Sequence, residues 1–88
     1  MRREKSLRLG RFTKGTRDAL SEYIAELEEI YPSAKGTAHV TNRQDGRVIV
    51  SVPLPKEVSE RMRVFDHMAE LGTKLLLETD QYIILSSL

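Results

Sequence analysis

The chain has 88 residues, a formal net charge of +1, and a composition that is 40% hydrophobic and 31% charged, as is typical of a globular protein. No apolar run approaches the roughly 20 residues that cross a bilayer, and the absence of cysteine excludes disulfides, thiolate nucleophiles and cysteine-ligated metals. We therefore expect one domain over residues 1–88 with a modest core, located in the cytoplasm and without a membrane partner.

Positive charge is concentrated at the N-terminus. Residues 1–17 hold seven basic residues and one acidic residue, whereas residues 18–30 hold five acidic residues and no basic one. The basic arm, residues 1–14, could contact the phosphates of a nucleic acid. Alternatively, it could lie against the acidic segment, residues 18–30, of its own or a neighbouring molecule. The candidate nucleic-acid contacts are Arg2, Arg3, Lys5, Arg8, Arg11 and Arg47.

Part of this arm resembles a strand. Within residues 5–12, Leu7 and Leu9 alternate with Ser6 and Arg8, which predicts a short first strand, and Gly10 interrupts the pattern. A polar N-terminal segment can also lack regular structure, so the sequence leaves the order of residues 1–14 open.

A first helix is predicted over residues 16–31. Thr16 is a suitable N-cap and Asp18 a suitable first-turn anion, while Pro32 ends the helix. The residues at helical spacing that form its apolar face are Leu20, Tyr23, Ile24, Leu27, Ile30 and Tyr31.

A β-hairpin follows. Residues 37–42 and 47–52 both alternate, and Asp45-Gly46 between them is a strong turn signal. The two strands should therefore pair antiparallel, with Val48, Val50 and Val52 facing the core.

Pro53 and Pro55 separate this hairpin from a second helix. Its apolar face is predicted to contain Val58, Met62, Phe65, Met68 or Ala69, Gly72, and Leu75 or Leu76. Gly72 could end the helix, but the stripe continues in phase beyond it, which favours a helix that reaches Glu78. A last strand over residues 81–86 follows from its β-branched and aromatic residues.

The element order is βαββαβ with an uncertain first strand, which predicts a ferredoxin-like two-layer α+β sandwich. In this fold two helices cover one face of an antiparallel sheet, the first and third strands are central, and the other face is open. The candidate interface on that open face is His39, Ile49, Ser51, Tyr82 and Ile84. We expect a small interaction or regulatory module that forms a homodimer or binds a protein partner through its sheet.

No catalytic, metal or cofactor motif is evident. The two histidines, His39 and His67, lack the i, i+4 spacing of a zinc-binding helix, and the glycines form no phosphate-binding loop. We therefore expect no cofactor and no enzymatic activity.

The stretch from Val48 to Met62, VIVSVPLPKEVSERM, resembles the strand-to-helix entry of ribbon-helix-helix DNA-binding proteins. In that family a strand pairs with its twin in a dimer and its outward side chains read the major groove. The resemblance implies that Arg47, Ile49 and Ser51 would be the readers. An RNA-recognition fold shares the βαββαβ order, but its stacking chemistry needs aromatic residues on the central strands, and residues 47–52 contain none.

Overall fold

A computed structural model of the chain describes residues 14–43 and 46–88, which form two helices and a three-stranded sheet. In chain order the elements are α1 (Lys14–Ile30), a 3₁₀ turn (Pro32–Ala34), β1 (His39–Asn42), β2 (Arg47–Val52), α2 (Val58–Thr79) and β3 (Tyr82–Ser87). Within these ranges neither helix is long and apolar enough to span a membrane.

The sheet is mixed, with the order β1-β2-β3. β1 pairs antiparallel with β2, as the hairpin signal predicted, and β3 pairs parallel with β2. The expectation of a wholly antiparallel sheet is therefore wrong for the second pairing. It is parallel because α2 carries the chain back across the sheet, so that β3 runs in the direction of β2.

The ferredoxin-like strand order is not confirmed. That order places the predicted first strand between residues 47–52 and the last strand, but β2 and β3 are direct neighbours over six residue pairs, from Arg47–Tyr82 to Val52–Ser87. The predicted first strand itself, residues 5–12, lies outside the described residues.

The core lies between the two helices and one face of the sheet. Alternate residues of β2 and β3 are buried against α1 and α2 because side chains of a strand point to opposite faces. The buried apolar residues are Ala19, Leu20, Tyr23, Ile24, Leu27, Ala34, Val48, Val50, Val52, Val64, Met68, Leu75, Ile83 and Leu85.

α1 agrees with the prediction in its apolar face and its end before Pro32, but it already includes Lys14, two residues before Thr16. Thr16 is consequently inside the helix and is not its N-cap. The Thr16 side chain is buried, and its hydroxyl donates a hydrogen bond of 2.7 Å to the Gln81 side-chain oxygen. This bond fixes the start of α1 beside the start of β3.

α2 continues through Gly72 to Thr79, so the long-helix interpretation is confirmed. Pro55 precedes the helix, and Glu57 caps it by accepting a hydrogen bond from the Glu60 backbone N–H. At the other end Asp80 adopts a left-handed conformation with φ of 62°, and its N–H donates to the Leu76 carbonyl over 3.0 Å.

The predicted apolar face of α2 is wrong in its first two turns. Val58 and Met62 are 57% and 56% exposed, whereas Val64 is buried with Met68, Gly72 and Leu75. At about 100° per residue, the predicted stripe lies roughly a quarter turn around the helix from the buried positions. α2 therefore has a second apolar stripe, which the described residues leave partly uncovered.

Candidate functional site

Two surfaces of the described structure stand out, and the first is the sheet face opposite the helices. Its outward residues, here called the open face, are His39, Thr41, Arg47, Ile49, Ser51, Tyr82, Ile84 and Ser86. No described element packs on this face, because both helices pack against the opposite face of the sheet, where the core lies.

The strand register determines which of these side chains are neighbours. Ile49 lies opposite Thr41 on one side and Ile84 on the other, so Ile49 and Ile84 form an apolar pair at the centre of the face. Both isoleucines are half-buried by their neighbours. Tyr82 lies opposite Arg47 at one end of the face and is 48% exposed.

The other end of the open face is polar. His39 lies opposite Ser51, and Ser51 lies opposite Ser86 on β3. His39 is exposed at the first position of β1. The face therefore has an apolar centre bounded by polar side chains, and β1, β2 and β3 contain no aspartate or glutamate.

The structure thus places all five predicted interface residues, His39, Ile49, Ser51, Tyr82 and Ile84, on one face. The sequence left open whether Tyr82 and Ile84 or their neighbours face outward. In the structure Ile83 and Leu85 are in the core, so Tyr82 and Ile84 face outward.

Of the predicted nucleic-acid contacts, only Arg47 is in the described part of the chain, on the open face beside Tyr82. Arg2, Arg3, Lys5, Arg8 and Arg11 lie outside the described residues. The ribbon-helix-helix arrangement does not fit β2, because β2 has a strand neighbour on both sides within its own chain. It has no free edge with which to pair with a twin strand.

The second surface, here called the edge groove, runs between α2 and the outer edge of β3 and has a volume of about 250 Å³. The α2 residues that line it include Phe65, Ala69, Gly72 and Leu76, and the β3 residues are 82–85. Sequence reasoning missed this groove. The apolar stripe of α2 was the available signal, but it was assigned to the core.

Tyr23 contacts both the core and the inner end of the edge groove. Its side chain is 1% exposed, and this burial raises the pKa of the phenol well above its ordinary value because the charged form is poorly solvated there. Tyr23 is therefore neutral at physiological pH and unsuited to act as a base.

The two histidines lie on opposite sides of the sheet and are not neighbours. His67 on α2 lies 2.6 Å from the Glu26 carboxylate on α1, so it links the two helices at their exposed side. His39 lies on the sheet, on the face opposite the helices. The described residues contain no group of three or more potential metal ligands.

Comparisons with protein-family models, curated proteins and solved structures find no match to this chain.

Proposed function

We propose that the chain is a small, non-catalytic cytoplasmic interaction module that forms a homodimer through the open face. One observation carries the proposal: the Ile49–Ile84 pair lies at the centre of a sheet face that no described element covers. A second copy, placed face to face, would remove both isoleucines from water.

The chemistry of the face supports this proposal. Protein interfaces combine an apolar centre with a polar rim and are enriched in tyrosine and arginine. The open face has the same arrangement, with Ile49 and Ile84 central, Tyr82 and Arg47 at one end, and hydroxyl-bearing residues at the other.

The size of the face limits the strength of the association. With strands about 4.8 Å apart and outward residues about 6.7 Å apart along a strand, eight outward residues cover roughly 260 Å². A stable interface buries about 800 Å² per partner. We therefore expect a weak dimer that forms in the high-micromolar range or above, unless further residues widen the face.

Sedimentation equilibrium from micromolar to millimolar concentration tests the proposal. We expect a monomer–dimer equilibrium for the natural chain, and a monomer throughout for Ile84→Lys, because the lysine would place a charge at the centre of the interface. The matched control is Leu77→Lys on α2, which makes the same charge change at a side chain that is 81% exposed, and it should leave the dimer intact.

A natural chain that remains monomeric up to millimolar concentration would refute self-association. If Ile84→Lys does not fold, as judged by circular dichroism, Ile84→Thr replaces it, since threonine keeps the β-branch and removes most of the apolar surface. Equal weakening of the dimer by the Ile84 and Leu77 variants would place the interface elsewhere.

Nucleic-acid binding is the second candidate, and the absence of carboxylates from the three strands favours it. His39 and Arg47 are the basic residues of the open face, and no carboxylate on a strand would repel a phosphate. A gel shift with mixed duplex and single-stranded oligonucleotides at two salt concentrations tests this candidate. Arg47→Gln should weaken binding and flatten its salt dependence, whereas Arg63→Gln on the exposed side of α2 should not.

A further inference from the structure

The edge groove is bounded by apolar surface that the described chain leaves without a partner. Along α2, the residues Val58, Met62, Phe65, Ala69 and Leu76 follow one another at helical spacing. Val58, Met62, Ala69 and Leu76 are exposed and Phe65 is only half-buried. A stripe of five apolar positions over five turns of helix is typical of a surface that another element covers.

The backbone of β3 offers hydrogen bonds at the same place. Leu88 donates its N–H to the Val52 carbonyl over 3.0 Å. In a parallel ladder every second residue of a strand bonds to the same neighbour, so residues 82, 84 and 86 also direct their backbone groups to β2. Ile83 and Leu85 consequently direct their N–H and C=O groups to the outer edge. In the described structure β3 has β2 as its one strand neighbour.

The position of α1 shows where the preceding chain enters. Thr16 is hydrogen-bonded to Gln81, one residue before β3 begins at Tyr82. The start of α1 therefore lies at the N-terminal end of β3. A strand that ends there and leads into α1 would run antiparallel to β3 along its free edge.

We propose that residues 5–12 dock on the outer edge of β3 in their own chain as an antiparallel fourth strand, with Leu7 and Leu9 in the edge groove. Docking satisfies the outward backbone groups of Ile83 and Leu85. It also covers the part of the α2 stripe that lines the groove, which is Phe65, Ala69 and Leu76.

The connection to α1 sets the register. A strand-to-helix connection usually takes at least two residues, and Phe12 and Thr13 provide these if Arg11 lies opposite Gln81. Leu9 is then opposite Ile83 and Leu7 opposite Leu85, which places both leucines on the helix-covered face, since directly opposed residues share a face. A shift by one residue would turn both leucines to the open face.

Docking also changes the open face. Ser6, Arg8 and Gly10 would lie on it, with Arg8 opposite Ile84 and Gly10 opposite Tyr82. The face would gain a fourth strand and a second arginine, and the strand order would become β1-β2-β3 followed by residues 5–12. This proposal does not depend on self-association, because every contact it invokes lies within one chain.

Nuclear magnetic resonance of the full chain, at a concentration where it is monomeric, tests the docking directly. In the proposed register Arg8 and Ile84 are a pair without mutual hydrogen bonds, with Cα atoms about 4.5 Å apart. We therefore expect a strong Hα–Hα Overhauser contact between Arg8 and Ile84, and slow exchange of the Ile83 and Leu85 amides with solvent. The absence of both would overturn the proposal.

A pair of aspartate variants tests the role of the leucines. Leu9→Asp should speed exchange of the Ile83 and Leu85 amides by roughly tenfold or more, because the edge reopens while the ladder to β2 persists. Ser6→Asp adds the same charge on the outward side of the segment and should leave those amides protected. Equal effects of the two variants would refute the proposed orientation.

Mixing isotope-labelled with unlabelled chains distinguishes the chain's own segment from that of a second copy. An Arg8–Ile84 contact that appears between labelled and unlabelled chains would overturn docking within one chain in favour of strand exchange. A contact confined to labelled chains supports docking within one chain, whatever sedimentation equilibrium shows about the dimer.

Discussion

Gly72 of α2 lies directly against the backbone of Ile83 in β3. A Cβ atom at Gly72 would be 3.2 Å from the Ile83 carbonyl oxygen and 3.8 Å from Cε2 of Tyr23. Because that oxygen belongs to a strand held in register by β2, it cannot rotate away as a flexible side chain could. The glycine allows α2 to approach the sheet closely, at a cost of about 1 kcal/mol in helix propensity.

Gly72→Ala is therefore expected to destabilise the fold although alanine is the better helix former. Overpacking of this kind costs about 1–3 kcal/mol, which exceeds the propensity gain, and we expect a net loss of roughly 1 kcal/mol in the free energy of unfolding. Urea denaturation measures it. Gly15→Ala in α1 is the matched control, since a Cβ there meets no atom within 4 Å, and it should be neutral or stabilising.

Two leucines near the end of α2 test the assignment of its buried side. Leu75 is 1% exposed and Leu77 is 81% exposed. Leu75→Ala leaves a cavity in the core and should reduce the free energy of unfolding by about 2–5 kcal/mol. Leu77→Ala should change it by less than about 0.5 kcal/mol. Comparable losses in urea denaturation would contradict the orientation of this helix.

The two hairpin strands and their faces could be predicted from the sequence because a strand's period of two leaves little freedom. Once the turn at Gly46 sets the pairing, Val48, Val50 and Val52 can face only one side, and Ile49 only the other. The end of α1 was also readable, since a helix ends before Pro32, whereas the left-handed conformation of Asp80 after α2 is seen only in the structure.

The orientation of α2 and the position of the last strand could not be predicted in the same way. α2 carries apolar residues on more than half of its circumference, so spacing alone did not decide between the stripe containing Met62 and the one containing Val64. Whether β3 pairs directly with β2 depends on how α2 packs as it crosses the sheet, and that packing is a tertiary contact that local sequence patterns do not encode. The edge groove was missed for the same reason.

The bond between Thr16 and Gln81 should contribute measurably to the packing of α1 against β3. Thr16 is 8% exposed and its hydroxyl donates over 2.7 Å. Thr16→Val keeps the shape and removes the donor, so we expect a loss of about 1–2 kcal/mol in the free energy of unfolding. Thr16→Ser keeps the hydroxyl and should recover most of the hydrogen-bond contribution in the same urea titration.

The cap of α2 predicts a specific dependence of stability on pH. The Glu57 carboxylate accepts hydrogen bonds from the Ser59 hydroxyl over 2.8 Å and from the Glu60 backbone N–H over 3.1 Å. These two bonds, in that order of importance, lower the pKa of Glu57. A carboxyl whose pKa is lowered by folding stabilises the native state above its unfolded pKa of roughly 4.3, and this contribution is lost as the pH falls through the folded value.

Glu57→Ala should therefore melt at a lower temperature than the natural chain at pH 7, and the difference should shrink as the pH falls below about 4. The control is Glu78→Ala, which removes an exposed carboxylate at the opposite end of the same helix. It should not lower the melting temperature at pH 7, since an anion near a helix C-terminus is not stabilised by the helix dipole. If the melting temperature of Glu57→Ala differs from that of the natural chain by the same amount at pH 7 and below about pH 4, the Glu57 side chain caps the helix without its charge.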